Sequence, residues 1–514
     1  MNGAESLVET FLANDLDLCF ANPGTSEMHF VAALDGHPDM RCVLCLFEGG
    51  TSGAADGYYR MTGKVAATML HLAPGFGNAY ANLHNAKKAG SGVVNVMGDH
   101  ATYHNVYDSP LKGDTIGVSQ AVSHWTRASA TSQDVARDGA AAIAAARSGN
   151  GQISTLILPA DTAWGDGGAA ERAQPAPLHR PDDAALDAAA AALKAPGAAL
   201  FVGGPAAHDP LLPRVGQIAA ASGARITAPL FLGRIARGAG TPMVEQLPYR
   251  GELAQEVLKD ITHLICIGTT PPVNFFAYPG QPSVPSAPGC QITELCRADM
   301  DVTYTLDALA DRLGATNTDY PTRPLALPDA PADGALTADS ACAVIARWLP
   351  DRAVVVNEAV TSGLTFPDHS LTARPFDLLT TVGGAIGGAM PNAVGAAIGC
   401  PDRHVVAMIG DGSAMYTIQS LWTMTREALD VTVVIFANRS YRILHFELMA
   451  MGFAAAGRNA QRMFDLENPT LDWCALAQGH GVPAIRVETT AELTAALEDR
   501  HTTPGPRLIE VIVP

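Results

Sequence analysis

The amino-acid sequence predicts an α/β protein of three domains, each a mostly parallel sheet flanked by helices. Apolar, strand-length runs alternate with helix-length segments through all 514 residues, which is the pattern of parallel α/β domains. A chain of this length is expected to form about two to four domains. Polar, Pro-rich passages at 165–183 and 321–331 mark the boundaries. We therefore expect domains at 1–165, 183–322 and 333–514.

Each expected domain has its own set of apolar strands. The first should contain Leu16–Phe20, Cys42–Phe47, Val65–Leu72, Val93–Met97 and a closing strand at Leu156–Pro159. The clearest strands of the second are Ala198–Val202, Ile226–Ala228 and His263–Gly268. The third should contain Ala353–Val356, a glycine-rich segment at Gly383–Gly388, and the strands Val405–Ile409, Val431–Phe436 and Arg507–Val513.

Composition excludes several classes of protein. Hydrophobic residues make up 48% of the chain and charged residues 16%, which favours a well-buried globular protein over a disordered one. The net charge of −18 disfavours nucleic-acid partners, because binding to a phosphate backbone needs a basic surface. The N-terminus lacks the basic start of a signal peptide, and no run reaches the ~20 apolar residues of a membrane span. We expect a cytoplasmic protein with no membrane partner.

The cysteines also fit a reducing compartment. Nine of them, an odd number, are scattered through strands and helices, as is typical of free thiols in a cytoplasm. Cys42 and Cys45 have CxxC spacing, but on a strand their side chains would face opposite sides. Core positions are therefore favoured over a metal-binding or redox role for this pair.

The most informative segment is 405–441. An apolar strand runs into Gly410-Asp411-Gly412-Ser413, and after a helix-length segment a second strand ends at Asn438. Ligands of parallel sheets bind outside the carboxyl ends of the strands, where Asp411 and Asn438 would offer the oxygen ligands that Mg²⁺ prefers. Gly412 and Ser413 would open a helix, whose free N–H groups accept phosphate. The segment predicts a metal-diphosphate site.

Two other interpretations of this segment remain open. The strand, GxG and helix could form a dinucleotide fingerprint, but Met415 occupies the third glycine position. Asp411 could instead be only a helix N-cap, which is a common use of Asp at a strand–helix turn. That interpretation leaves Asn438 unexplained.

Glu48 is the candidate acid of the first domain. It follows the strand CVLCLF and precedes a helix start made of small residues. In an apolar setting the pKa of a carboxyl group rises, so the group can stay protonated near neutrality and donate a proton to a cofactor ring nitrogen. Alternatively, Glu48 is an acidic residue placed in the first turn by the helix dipole. The local sequence favours neither interpretation.

Other polar loops are expected at the same edge of the first sheet. His71 ends the strand VAATMLH and could be catalytic, although a lone histidine is more often structural. Asn22-Pro23-Gly24-Thr25 is a similar loop. Asp99, His100 and His104 could line the same crevice. No fourth ligand is evident near these histidines, so a zinc site is disfavoured.

Together, these residues resemble the thiamine-diphosphate-dependent enzymes of the acetolactate synthase large-subunit and benzoylformate decarboxylase type across nearly the whole chain. The Gly-Asp-Gly at 410–412 followed by Asn438 resembles their diphosphate signature, and Glu48 stands where they keep a cofactor-activating glutamate. The order of blocks resembles their pyrimidine-binding, central and diphosphate-binding domains. At individual positions, 22–24, 71–79 and 410–423 are more similar to benzoylformate decarboxylase.

The resemblance implies roles that the motifs alone do not assign. Glu48 would protonate the aminopyrimidine ring of thiamine diphosphate, and His71 would transfer protons to the reaction intermediate. Ile386 would bend the cofactor, or serve only as core packing. The further implied contacts are Pro23, Gly24, Asn78, Thr361, Gly384, Gly412, Ser413 and Tyr441 with the cofactor, Asp411, Asn438 and the Ser440 carbonyl with Mg²⁺, and Thr25, Phe276 and Leu444 with substrate.

The sequence departs from these families at two places. The central-domain histidine of benzoylformate decarboxylase should fall where Phe275 and Phe276 stand, so one proton-transfer group is missing. The tryptophan that acetolactate synthases carry shortly after the metal-binding Asn is also absent. Leu444 stands at the position where benzoylformate decarboxylase has a leucine and where pyruvate decarboxylases have an active-site glutamate. Phe275, Phe276, Leu444, Phe446 and Met449 would line an apolar pocket for an aryl or branched 2-oxo acid, or belong to the core.

The function that the resemblance implies is decarboxylation of a small 2-oxo acid through an enamine, which is then protonated or ligated to a second carbonyl. One alternative is an acetolactate synthase-type carboligase acting on pyruvate. FAD is possible in that case, although no motif indicates it. A second alternative is a non-catalytic cofactor-binding homologue within an assembly. Relatives hold the cofactor between the first domain of one subunit and the third of another, so we expect a homodimer or homotetramer with sites at subunit interfaces.

Overall fold

Three separate sheets, almost entirely parallel, organise the molecule. The computed structural model describes residues 1–499 and 505–514, and its sheets have six, five and seven strands. Among the described residues, seven of the eighteen strands are buried along their whole length, as expected where helices cover both faces of a parallel sheet. The predicted fold class is confirmed.

The first sheet has the strand order β2-β1-β3-β4-β6-β5, and every pair in it is parallel. Its elements, in chain order, are α1 (Gly3–Ala13), β1 (Leu18–Ala21), α2 (Met28–Asp35), β2 (Arg41–Leu44), α3 (Glu48–Thr62), β3 (Ala66–Leu70), α4 (Leu72–Ala89), β4 (Val93–Asp99), α5 (Thr115–Gln120), β5 (Trp125–Ala128), α6 (Val135–Arg147), β6 (Ile153–Pro159) and α7 (Ala160–Trp164). The strand β5 is one that the sequence did not predict.

The second sheet has the order β10-β8-β7-β11-β12 and is also parallel throughout. The elements of this part of the chain are α8 (Asp183–Leu193), β7 (Ala198–Val202), α9 (Leu211–Ser222), β8 (Arg225–Ala228), β9 (Ile235–Arg237), β10 (Val244–Gln246), α10 (Gly251–Leu258), β11 (His263–Ile267), β12 (Gln291–Cys296) and α11 (Val302–Leu313). A long irregular segment, 268–290, separates β11 from β12.

The third sheet has the order β17-β18-β16-β15-β13-β14-β9. Its elements are α12 (Ala338–Trp348), β13 (Ala353–Glu358), α13 (Phe366–His369), β14 (Phe376–Thr380), α14 (Ala389–Gly399), β15 (Val405–Gly410), α15 (Asp411–Ala414), α16 (Ser420–Arg426), β16 (Val431–Ala437), α17 (Arg442–Ala450), α18 (Arg458–Phe464), α19 (Trp473–Gly479), β17 (Ala484–Val487), α20 (Thr490–Glu498) and β18 (Arg507–Ile512). In this sheet β9, from the central stretch of the chain, pairs antiparallel with β14. It covers an edge that would otherwise present unpaired backbone groups.

Two expectations about the segment before Glu48 need correction. The strand predicted at Cys42–Phe47 spans Arg41–Leu44, so Glu48 begins α3 after a three-residue link. Cys42 is exposed and Cys45 is buried. The two thiols therefore face opposite sides, as expected, but the prediction that Cys42 is a core residue is wrong.

Close packing of α3 on α14 joins the first sheet to the third. A Cβ on Gly57 would overlap the backbone of Asn392, and a Cβ on Gly395 would overlap the backbone of Ala54. Glycine at these positions permits a helix approach that a side chain would block. Because Glu48 begins α3 and the Gly383–Gly388 segment leads into α14, this contact fixes how the two candidate regions lie in one chain.

A buried ion-pair network ties all three parts of the chain together. Arg60 pairs with Asp56 on α3 and donates to the Thr380 carbonyl at the end of β14. Arg234, from the central stretch, pairs with Asp377 of β14 at 2.7 Å.

In the described part of the chain, no helix combines the length and apolarity needed to span a bilayer.

Candidate active site

The carboxyl edge of the first sheet gathers one group of predicted site residues. Pro23, Gly24 and Thr25 follow β1, and His71 follows β3, which pairs with β1. Gly24 allows the loop to lie close to His71, because a Cβ at this position would overlap the His71 ring. Neighbouring parallel strands end at the same edge, so the strand-end rule places these residues together.

Glu48 and His71 are neighbours in this group. Glu48 is 7% exposed, and Asn78 of α4 donates to its Oε2 at 3.0 Å. The position of a Cβ on Gly75 would lie 2.9 Å from Glu48 Oε1 and 3.2 Å from the His71 Cβ, so both side chains flank the same glycine. The structure therefore brings together Glu48, His71 and Asn78. It also places Glu48 in the first turn of α3, so the helix-dipole interpretation stays compatible with the geometry.

A buried acid that the sequence did not single out holds His71. Glu27 is 3% exposed, and its Oε2 lies 2.9 Å from His71 Nδ1. The Glu27 carboxylate also accepts from Gly24 N at 2.9 Å and from Ser26 Oγ at 2.5 Å. With Nδ1 occupied, Nε2 is the ring nitrogen left for a ligand. The signal available in the sequence was an acidic residue soon after a predicted strand, and only the strand order of the folded sheet brings it to His71.

Asp99, His100 and His104 lie at and after the end of β4, beside the Glu27–His71 pair, because a Cβ on Gly98 would overlap the Glu27 carboxylate. Asp99 is buried, whereas His104 is exposed. Asp99 ends β4 and accepts from Thr115 Oγ1 at 3.0 Å. The His100 and His104 ring centroids lie 5.5 Å apart with the ring planes tilted by 52°, and His100 Nε2 lies 3.1 Å from Ser109 Oγ. Over residues 1–499 and 505–514, the one cluster with metal-ligand spacing is Asp472, Cys474 and Glu510, where Arg486 already pairs with both carboxylates.

The carboxyl edge of the third sheet gathers the second group. β15 pairs with β16 in parallel, with Gly410 opposite Phe436, so Asp411 and Asn438 leave adjacent strands almost level with each other. Asp411 Oδ2 accepts from Arg439 N at 2.6 Å, and Oδ1 accepts from Gly412 N at 2.8 Å. The Asp411 carboxylate thus spans both strand ends.

The donor set at this edge consists of oxygen atoms. Asp411 is 3% exposed, and burial raises its pKa to about 6, although the backbone N–H donors lower it. The Asn438 Oδ1 accepts from Ser440 N at 3.0 Å, which fixes the amide beside the Ser440 backbone. A carboxylate, an amide oxygen and a nearby carbonyl are the ligand types that suit Mg²⁺.

Predicted diphosphate contacts surround these ligands. Gly412 and Ser413 form the first turn after β15, and a Cβ on Gly412 would overlap the Tyr441 ring. Asn438 Nδ2 approaches Ser362 Oγ at 3.4 Å, which brings the 360–363 turn carrying Thr361 alongside.

The Gly383–Gly388 loop is held by a second acid that the sequence did not single out. Glu358 ends β13 and is 4% exposed. Its carboxylate accepts from the backbone N–H groups of Gly387 at 2.5 Å, Gly388 at 2.9 Å and Ala389 at 3.0 Å, and from Thr381 Oγ1 at 2.8 Å. Burial raises the pKa of Glu358 to about 7, even though these four donors lower it. Glu358 therefore holds in place the loop that carries Gly384 and Ile386, through hydrogen bonds to the backbone of that loop.

The residues predicted to contact substrate fall into both groups. Phe276 packs edge-on against Phe275 at 4.7 Å, and a Cβ on Gly384, where φ is +75°, would lie 2.9 Å from the Phe275 ring. Leu444 is exposed on α17, beyond Tyr441. Thr25 lies instead with His71 at the first sheet.

Within one chain the two groups are linked through α4. Asn82 donates to the Gly49 carbonyl at 2.8 Å, next to Glu48, and Asn85 donates to the Ala385 carbonyl at 2.7 Å. His84 Nε2 lies 3.2 Å from the Gly383 carbonyl. The described residues thus form two half-sites at the edges of different sheets, joined by a polar helix face.

Family models and sequence relatives agree on one group of enzymes. Residues 1–122 match the N-terminal TPP-binding domain of thiamine pyrophosphate enzymes, and residues 365–511 match the C-terminal TPP-binding domain. A Mycobacterium tuberculosis protein, provisionally named acetolactate synthase large subunit IlvX, is 46% identical over 100% of this chain and 99% of its own. Benzoylformate decarboxylase of Pseudomonas aeruginosa is 28% identical over 98% and 97%.

Solved structures share the whole fold. A 4-hydroxybenzoylformate decarboxylase from Rhodococcus jostii superposes with a TM-score of 0.87 at 23% identity, covering 100% of this chain and 99% of that one. Benzoylformate decarboxylase from Polynucleobacter necessarius gives a TM-score of 0.87 at 22% identity, with the same coverage. At these identities the likeness concerns the fold.

Proposed function

The chain belongs to the thiamine-pyrophosphate-dependent enzymes of the acetolactate synthase and benzoylformate decarboxylase type, and from that membership we propose that it is a Mg²⁺-dependent 2-oxo acid decarboxylase or carboligase. The observation that carries the proposal is the pair of half-sites: Glu48 with His71 at one sheet edge, and Asp411 with Asn438 at another. The first pair can move protons, and the second can hold a metal-bound diphosphate.

The residues of the third sheet fit both the metal and the diphosphate. Asp411, Asn438 and the Ser440 carbonyl would hold Mg²⁺, because all three offer oxygen to a hard cation. Gly412 and Ser413 open the turn after β15, where backbone N–H groups can bind phosphate oxygens. Thr361, Gly384 and Tyr441 would complete this cradle, and Ile386 would lie under the cofactor.

Thiamine diphosphate, when bound, supplies the electron sink for the loss of carbon dioxide from a 2-oxo acid. Glu48 would hold a proton at a pyrimidine nitrogen, with Asn78 orienting its carboxyl group. His71 would move a proton at the substrate through Nε2, since Glu27 occupies Nδ1. Decarboxylation breaks the C1–C2 bond, and a proton replaces the carboxylate to give an aldehyde. Pro23, Gly24 and Thr25 would line the same edge.

Acetolactate synthesis from pyruvate is the second candidate, since the 46% identical relative bears that name. The sequence weighs against it: no tryptophan follows Asn438 within the α17 segment. The packed rings of Phe275 and Phe276, 44% and 51% exposed, offer more apolar surface than the methyl group of pyruvate requires.

We further propose that the complete site forms between two subunits. Large apolar side chains are exposed after β4, namely Tyr103, Val106, Tyr107 and Leu111, and also around α17, namely Phe446, Met449, Met451 and Phe453. Apolar surface of this extent marks an interaction site. A homodimer or homotetramer would cover it and bring Glu48 of one subunit to the metal-binding edge of another.

One experiment tests these proposals together. The purified protein is incubated with thiamine diphosphate, Mg²⁺ and a panel of 2-oxo acids, while carbon dioxide and organic products are followed and light scattering gives the mass. We expect carbon dioxide release from an oligomer, with aldehyde or hydroxyketone as product. Acetolactate formed from pyruvate alone would favour the second candidate. Turnover by a monomer would contradict the shared site, and no turnover of any 2-oxo acid would contradict the function.

A further inference from the structure

Two tyrosines from the central part of the chain converge on one carboxylate of α17. Tyr249 Oη donates to Glu447 Oε1 at 2.8 Å, and Tyr278 Oη donates to Glu447 Oε2 at 2.5 Å. We call these three residues the Tyr–Glu–Tyr cluster. Tyr278 immediately follows the Phe275-Phe276-Ala277 stretch, so this cluster occupies the region where the resemblance led us to expect a histidine.

The cluster lies on the face of α17 that continues from the cofactor-binding turn. Glu447 follows Leu444 by three residues, so the two side chains share one face of the helix. Tyr249 packs against Phe275 with ring centroids 5.6 Å apart, and Phe275 lies against Gly384. From the Gly384 loop outward, a substrate would therefore meet Phe275 and Leu444 first and Glu447 one helical turn further on.

The two tyrosines act as hydrogen-bond donors to the Glu447 carboxylate rather than as a proton relay. Burial and the neighbouring Glu447 carboxylate raise the pKa of Tyr278 to about 12 and that of Tyr249 well above its usual value. Both phenols therefore keep their protons and donate them to Glu447. Each carboxylate oxygen can accept a further hydrogen bond. Within residues 1–499 and 505–514, no lysine, arginine or histidine pairs with Glu447.

Aromatic faces border this charge. Phe275 and Phe276 pack edge to face and are 44% and 51% exposed, so their rings are open to a ligand. Aromatic faces beside a carboxylate that no cation neutralises form a favourable environment for an ammonium or guanidinium group. The same charge repels a second carboxylate.

We propose that the Tyr–Glu–Tyr cluster binds the distal end of the substrate, so that the enzyme takes a 2-oxo acid ending in a guanidinium or ammonium group and discriminates against one ending in a carboxylate. This inference rests on the proposed function, because it names the substrate class of the same site. A purely structural role, in which the cluster only clamps the central segment onto α17, would affect all substrates alike.

The test compares three straight-chain substrates that differ in the charge of the distal end, under the same conditions: 2-oxo-5-guanidinopentanoate, 2-oxohexanoate and 2-oxoadipate. The guanidino acid is preferred to an ω-amino acid, which cyclises onto its own 2-oxo group. The wild-type kcat/KM should be highest for the guanidino acid and lowest for the dicarboxylate. In Glu447→Gln the value for the guanidino acid should fall roughly 10- to 100-fold, since one hydrogen-bonded charge is lost, while that for 2-oxohexanoate changes less than about threefold.

A binding measurement supplies a readout independent of turnover. Calorimetry with 5-guanidinopentanoate, which lacks the 2-oxo group, should show binding to the wild-type protein that is lost in Glu447→Gln. Glu256→Gln on α10 is the control, because Glu256 is exposed and pairs with Lys259. This variant should behave as wild type. Tyr278→Phe keeps the ring and removes one donor, so it should retain the preference for the guanidino acid.

Each result distinguishes a substrate-binding role of the Tyr–Glu–Tyr cluster from a structural role or from failure of the proposed function. A selective loss for the guanidino acid in Glu447→Gln supports the inference. Equal losses for all three substrates, or a wild-type enzyme that prefers 2-oxohexanoate, would overturn it while leaving the decarboxylase proposal intact. If the wild-type protein releases carbon dioxide from none of the 2-oxo acids, the proposed function itself is wrong.

Discussion

Replacing Glu358 by glutamine is the substitution with the most clearly defined physical consequence. Glu358 Oε1 accepts from Gly387 N, while Oε2 accepts from Gly388 N, Ala389 N and Thr381 Oγ1. The amide of Glu358→Gln presents an NH₂ group where one of these oxygens was. At least one buried backbone N–H then loses its partner, which costs about 1–3 kcal/mol.

The pH dependence of this cost follows from the pKa of Glu358. Burial raises it from 4.5 to about 7 in the folded protein. The pKa of Glu358 is higher in the folded protein than in the unfolded protein. Its carboxyl group therefore contributes stability that is fully present below pH 4.5 and is lost as the pH rises through about 7. The difference of about 2.5 pKa units between the folded and unfolded states corresponds to roughly 3 kcal/mol in the free energy of unfolding. Between about pH 5 and about pH 8, wild type should lose roughly 2.5 kcal/mol relative to Glu358→Gln.

Two measurements check this reasoning. Infrared titration of the folded protein should show a protonated-carboxyl band with a midpoint about 2.5 units above that of a free glutamate, and the band should be absent in Glu358→Gln. As the pH rises, the thermal-unfolding midpoint of wild type should fall relative to that of Glu358→Gln. Glu498→Gln, on the exposed face of α20, is the control and should follow wild type. Parallel profiles for wild type and Glu358→Gln would refute the raised pKa.

Three further substitutions address the proposed chemistry. Glu48→Gln should retain the fold by circular dichroism but lose about 10²–10⁴-fold of turnover, as expected for a proton-transfer group; wild-type turnover would show that the role is wrong. Asp411→Ala should abolish Mg²⁺-dependent binding of thiamine diphosphate in calorimetry, because the metal loses its carboxylate, and unchanged affinity would remove the metal assignment. Glu27→Gln should alter the pH profile of kcat more than the cofactor Kd, since it acts by orienting His71; a changed Kd with an unchanged pH profile would indicate a structural role only.

The parts of the site that could be predicted from sequence depend on the rule that parallel strands end at a common edge. Asp411 and Asn438 each follow an apolar strand, and the parallel register of β15 and β16 brings them together. Glu48 and His71 come together by the same rule applied to the first sheet. In each case the local sequence carries both the strand and the polar residue after it.

The rule also covers a residue that the sequence analysis passed over. Glu358 is the last residue of β13, after the apolar run AVVV, so its position was readable. Its role was not, because that role depends on three backbone N–H groups some 30 residues later in the chain. Glu27 differs again, since it lies in a turn after β1 and its contact with His71 needs the strand order of the folded sheet.

The remaining features depend on contacts between distant segments. Tyr249 and Tyr278 precede Glu447 by 198 and 169 residues, and nothing in their local sequence signals a shared partner. The transfer of β9 to the third sheet is equally non-local. A three-residue strand has too little periodicity to reveal which sheet it joins, and its pairing is decided by the free edge of β14.

Comparison of Glu48 with Glu358 explains why two buried carboxyl groups at the carboxyl edges of parallel sheets should differ in function. Glu358 has four donors from its own chain, so its hydrogen-bonding capacity is committed to holding the Gly383–Gly388 loop. Among the described residues, Asn78 is the one side-chain donor to Glu48, and Glu48 Oε1 lies beside Gly75. Within the described residues no hydrogen bond reaches Glu48 Oε1, so this oxygen can still bond a ligand. Glu48 is therefore the acid that a bound ring nitrogen would satisfy, whereas Glu358 would gain nothing from a ligand.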